Sequence, residues 1–122
     1  MIFRLTQKLS TKIKAGRLSE SPLDENPYAD WSCHVFTAGR THYIIVSNTA
    51  SLYSCVMYGK GITDDSRFTE RTLSTIREFM DDDGQAFAYQ RFIAPATGTG
   101  TVSFAKALNR SVTGSLNELM NR

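Results

Sequence analysis

The sequence has little of what usually announces chemistry. It holds no G-x-S-x-G, no G-x-G-x-x-G, no phosphate-binding Gly/Lys loop and no H-E-x-x-H string. A nucleophile elbow, a nucleotide cradle and a helical zinc site are therefore not written into it. Cysteine is almost absent: Cys33 and Cys55 stand alone, outside any C-x-x-C pair, each inside an apolar run. Buried, reduced thiols are the expectation. No apolar stretch approaches the roughly 20 residues of a membrane span. The opening MIFRLTQKLSTKIK also lacks the unbroken apolar centre of a signal peptide. A cytoplasmic protein without a membrane partner is expected. Net charge is only +2, too little to argue for nucleic acid by itself.

What is present fits one globular unit. The chain has 122 residues, 41% hydrophobic and 21% charged. That is enough to bury a core without metal or disulfide staples, and a single domain over 1–122 is expected.

The clearest passage runs from Trp31 to Tyr58. WSCHVFT, THYIIVSN and LYSCVMY are rich in β-branched and aromatic residues and are separated by two tight turns. They read as an antiparallel meander. A two-residue turn at Gly39-Arg40 pairs residues whose numbers sum to 79, and a turn near Thr49-Ala50 gives sums of about 99. Alternation then places Trp31, Cys33, Val35, Ile44, Val46, Tyr53, Cys55 and Met57 on one face. His34, Phe36, Tyr43, Ile45, Leu52, Val56 and Tyr58 fall on the other. Cys33 and Cys55 share a face with a strand between them, roughly 9.5 Å apart and out of disulfide range. His34 and His42 point to opposite faces, so no metal pair is expected. The second face is also apolar and needs a cover: helices, another subunit or a ligand.

Around the meander, Ile2 to Leu5 alternates like a short strand. Thr6 can cap a short helix carrying Leu9 and Ile13, ended by Gly16. Residues 17–30, with two prolines and four acids, read as a draped loop. Asp64, Asp65 and Ser66 offer caps for a helix over 66–80, with Phe68, Leu73, Ile76, Phe79 and Met80 on its inner stripe. Asp81, Asp82 and Asp83 follow, a solvated end or a cation site. Residues 85–94 fit either period, with a short helix preferred, and Pro95 with ATGTGT reads as a turn. TVSFAKA reads as a strand and 110–121 as a closing helix. The fold class is α+β: an antiparallel sheet on 31–58, extended by the terminal strands, with the 66–80 and 110–121 helices packed on it.

The string NRSVTGS at 109–115 is the most unusual one. Ser115-Leu-Asn-Glu118 fits a capping box, so the polar residues before it can hold a strand-to-helix turn. They can also form an anion or polar-ligand site in which Arg110 supplies charge beside Asn109, Ser111 and Ser115. His34 and Tyr43 are the other ligand-binding candidates.

FRLTQKL, DWSCHVFTAGRTHYIIVSNTASLYSCVM and AKALNRSVTGSLNEL together resemble a family of small bacterial proteins of undetermined function. That family has an R-x-T-x-K-L start, a D-W strand and hairpin, and an N-R-S-V-x-G-S-x-N ending. The resemblance singles out Arg4, Thr6, Lys8, Leu9, Asp30, Trp31, Asn48, Asn109, Arg110, Ser111, Gly114, Ser115 and Asn117. It implies a shared fold unit and little chemistry. Such proteins also resemble products of mobile (integron) gene cassettes, among which homo-oligomers with pockets are common.

Three functions stay open. The preferred one is a non-enzymatic binding or interaction module, homo-oligomeric and most simply a dimer, with a small-molecule ligand and no cofactor. The second is a small-molecule enzyme with His34 as acid or base near Ser54, Tyr43 or Arg110. The third is a nucleic-acid-linked, antitoxin-like regulator using the basic segment Arg4, Lys8, Lys12, Lys14 and Arg17, which would bind in a salt-sensitive way.

Overall fold

The computed structural model describes residues 1–98 and 102–108. The closing helix expected over 110–121, and Asn109, Arg110, Ser111 and Ser115 with it, lie outside the described residues. The fold is α+β. Its strands are β1 (Ile2–Leu5), β2 (Asp30–Ala38), β3 (Thr41–Asn48), β4 (Ser54–Tyr58) and β5 (Ser103–Lys106), in the order β4-β3-β2-β1-β5.

The meander is antiparallel, as its turns require. Gly39 has φ +63°, the first central position of a two-residue turn, where a side chain would be strained. It fixes β2 to β3 with Trp31 opposite Asn48 and Cys33 opposite Val46, the expected sum of 79. β3 and β4 pair with a sum of 101, as in Val46 opposite Cys55, two more than expected. The difference lies in the loop, where Asn48 pairs back to Tyr53 rather than closing at Thr49-Ala50. A shift of two keeps every side chain on its face.

The terminal strands join in parallel. β1 lies between β2 and β5, with Phe3 beside both Trp31 and Phe104. The sheet is therefore mixed. Its first face carries Phe3, Leu5, Trp31, Cys33, Val35, Ile44, Val46, Cys55 and Met57, all buried. α1 (Gln7–Ile13) adds Leu9 and Ile13 to this core, and α2 (Asp65–Asp82) adds Phe68, Ile76 and Met80. Phe3 meets Phe68 edge-on at 5.5 Å and stacks on Phe104 at 6.3 Å. Both cysteines are free and buried. Burial pushes the Cys33 thiol well up and the Cys55 thiol to about 12, with nearby Asp30 and Asp83 adding to the respective shifts.

α1 and α2 each begin on a side-chain cap. Thr6 accepts from the Leu9 amide and Asp64 from the Arg67 amide. The ambiguous stretch after Gly84 is helical over 86–98: Ala86–Ala88, a widened π turn Tyr89–Ile93, then Ala94–Gly98. Pro95 lies inside this stretch, not in a turn. The widened turn precedes it and relieves the clash its ring would make with the carbonyl four residues back.

Residues 17–30 drape over the second face, and they cover a buried charge pair. Arg4, 1% exposed, gives two hydrogen bonds to Asp30, at 2.9 and 2.8 Å. It gives two more to the Ser21 and Pro22 carbonyls. Asp30 also accepts from the Asp24 amide and the Thr49 hydroxyl. Burial alone would raise the Asp30 pKa, but Arg4, the Asp24 amide and Thr49 together hold it below the usual carboxylate value. Ser19 meanwhile bridges to Ala105 on the far side of β5.

Candidate functional site

An apolar hollow opens where β2 begins and β3 ends. Three separate segments build it. Asn26 caps a short 3-10 turn (Pro27–Ala29) by accepting from the Tyr28 amide, and this sets Tyr28 at the rim. Tyr28 stacks on Phe92 at 4.6 Å. Trp31 forms the floor, its indole N–H held by the Tyr28 carbonyl at 2.8 Å. The second wall is the loop after Asn48. The Asn48 side chain accepts from the Ala50 and Ser51 amides and the Ser51 hydroxyl, and donates to the Pro27 carbonyl. One amide thus ties both walls together, with its oxygen committed to the loop and one of its two N–H donors to Pro27. Leu52 closes the loop in a left-handed conformation, φ +63°. The third wall is the end of α2 with the following helix: Met80, Asp83, Gln85 and Ala88.

The hollow measures about 490 Å³ and its exposed lining is mostly apolar, in the range of small-molecule sites. Its polar mark is at one side. The Tyr53 hydroxyl donates to Asp83 at 2.5 Å. Burial first, and then this bond to Asp83, push the Tyr53 phenol well above its ordinary value. It therefore stays protonated as a donor to the carboxylate. Asp81 and Asp82 lie exposed just beyond.

Sequence reasoning did not find this site. The lone Trp31, the Pro27-Tyr28 pair and Asn48 before a turn were its only local traces. Nothing local says that 27–31, 48–53 and 80–88 meet.

The residues singled out beforehand are scattered. His34 and Tyr43 share the second face, in neighbouring rows: His34 sits opposite Ile45 and Tyr43 opposite Phe36. Nδ1 of His34 is buried and has no hydrogen-bond partner among the described residues. Burial, and secondarily the charge of Lys8, lower its pKa below 6.5. Ser54, the other acid–base neighbour considered, bonds to Ser47 instead. Among the described residues no group orients the His34 ring or shares its proton. Arg4 is sealed against Asp30, out of reach of a phosphate. Lys8, Lys14 and Arg17 are exposed and Lys12 half-buried. Among the described residues no three His, Cys, Asp or Glu side chains come together as a metal site, and no helix is long and apolar enough to cross a membrane.

Four of the residues marked by the family resemblance have structural tasks. Arg4 and Asp30 form the buried pair, Thr6 caps α1, and Asn48 ties the walls of the hollow. Neither the curated proteins nor the solved structures contain a significant match to the chain. A family model described as a domain of unknown function, DUF6933, matches residues 2–122, and the chain belongs to that family.

Proposed function

We propose that the protein is a binding module whose ligand enters the hollow between Tyr28, Trp31, Tyr53 and Met80. The ligand class is a flat, largely apolar body bearing an amine or another N–H donor. The observation that carries this reading is the pairing of an aromatic wall with one acidic corner. Tyr28, Trp31 and Tyr53 offer ring surface to an apolar body and to a cation. Asp83, with Asp81 and Asp82 beyond it, favours positive charge over negative. The Asn48 oxygen is committed inside the wall, so the Asp83 end and Gln85 supply the acceptors for such a ligand. The reading is non-enzymatic because His34, the acid–base candidate of the sheet, stands apart from the hollow with no relay among the described residues. We place such a module in the cytoplasm as a homodimer.

Trp31 is the one tryptophan of the chain, so its fluorescence reports on the hollow directly. Phenethylamine is expected to quench or shift that emission and to raise Tm, and phenylacetate to do neither. Asp83→Asn should remove the preference. Ala88→Leu, which narrows the hollow without adding a second indole, should weaken binding while the far-UV circular dichroism stays unchanged. An amine and an acid that both fail, or bind equally, would overturn this ligand class.

A further inference from the structure

β4 is an edge strand, and its free side is unusual in being chargeless. Ser54–Tyr58 reads SCVMY, with neither an acidic nor a basic residue nor a proline. Edge strands are normally blunted by such residues. The hydrogen-bond parity shows which groups face outward. The Gly59 amide bonds to the His42 carbonyl and the Asn48 amide to the Tyr53 carbonyl. In an antiparallel ladder the odd-numbered residues of this stretch are therefore the ones bonded to β3. The N–H and C=O groups of Ser54, Val56 and Tyr58 point away from the sheet, and among the described residues none of them pairs back into the chain.

The same three residues present their side chains on the second face. Val56 is 41% and Tyr58 67% exposed, and Leu52, just before the strand, is 41% exposed. Phe36, Tyr43 and Tyr58 form a continuous aromatic row across β2, β3 and β4, with ring centroids 5.4 and 5.5 Å apart. The row ends at the open edge.

We infer that a second copy of this chain pairs with β4, antiparallel about a two-fold axis through Val56. In that register Val56 faces the partner's Val56, and Ser54 faces the partner's Tyr58. Every outward N–H and C=O of the three residues then meets a complementary group, because the arrangement is its own match. A two-fold contact must use the same patch twice, and a patch without charge on either side meets that condition without repulsion. A charged partner would find no opposite charge along the strand. The two sheets would join into one of ten strands, with each Tyr58 at the end of its aromatic row beside the partner's Ser54. This names the surface for the dimer proposed above and is independent of the hollow.

The test is the mass of the full chain in solution by light scattering, with two variants. The wild type is expected at twice 13.6 kDa. Val56→Lys places two like charges across the axis and should shift the mass to that of one chain without changing the circular dichroism. Opposed residues of a hydrogen-bonded antiparallel pair sit about 5.5 Å apart at Cα, within disulfide range. Val56→Cys should therefore give a covalent dimer with diamide, while the wild type, its two thiols buried, should not. A wild type that stays monomeric at high concentration overturns both the dimer and this interface. A dimer unaffected by Val56→Lys and not cross-linked through Val56→Cys overturns the interface alone.

Discussion

Arg4 and Asp30 show how much one buried pair can govern. They are sealed under a loop, bonded to each other twice and to that loop three further times. Removing one partner leaves an uncompensated charge, which costs about 3–5 kcal/mol, whereas replacing both by apolar groups costs far less. Arg4→Met is expected to lose that amount in urea melts, and Arg4→Met with Asp30→Leu to recover much of it. The acid dependence has a fixed sign. The Asp30 pKa is lower folded than unfolded, so the unfolded chain takes up the proton first as pH falls. Its contribution is complete above the unfolded value of about 3.9 and is lost as pH drops through the lower folded value. Melts between pH 6 and pH 3 should show this loss in the wild type and a shallower one in the double variant. The sequence marked both residues through the resemblance but not their partnership. Twenty-six positions separate them, and no local pattern brings a strand arginine to an aspartate that far away.

Elements were legible where local chemistry decides them. The Gly39-Arg40 turn set the β2–β3 register, and the period-2 pattern set the faces. The Asn48 loop was misjudged by two residues because its closure depends on side-chain bonds from Asn48 and on Leu52 at positive φ. The parallel seating of β1 and β5 carried no signal at all, since neither strand is long enough to impose an orientation. The hollow stayed hidden for the same reason, being assembled from three distant segments. α1 is the best element for testing local rules, because its two ends are unlike. Thr6→Ala removes the bond to the Leu9 amide and should cost about 1 kcal/mol. Lys14 closes the helix with φ +55°, a conformation costing a side chain roughly 1–2 kcal/mol. Lys14→Gly relieves that strain at the expense of some unfolded-state entropy. It is expected to leave stability level or raise it by up to about 1 kcal/mol. Thermal melts of the pair would show the opposite signs.

At the scale of the whole molecule, the sheet puts its earliest strand at an inner position. β1 is bonded on one side by β2 and on the other by β5, while among the described residues β4 pairs on one side only. Hydrogen exchange should therefore be graded across the sheet. The amides of Phe3 and Arg4 are expected to open only with global unfolding, and the outward amide at position 56 far more readily in a monomeric variant such as Val56→Lys. A Phe3 amide exchanging as fast as that at position 56 would contradict the strand order. The strand order also bears on how the protein is made. A ribosome delivers β1 first, yet the neighbour that closes its second side is delivered only after the meander, α2 and the helical stretch that follows. The nascent chain thus carries a strand of its future interior with one hydrogen-bonding edge unpaired until β5 is made. The slower the translation, the longer that side of β1 waits for its partner.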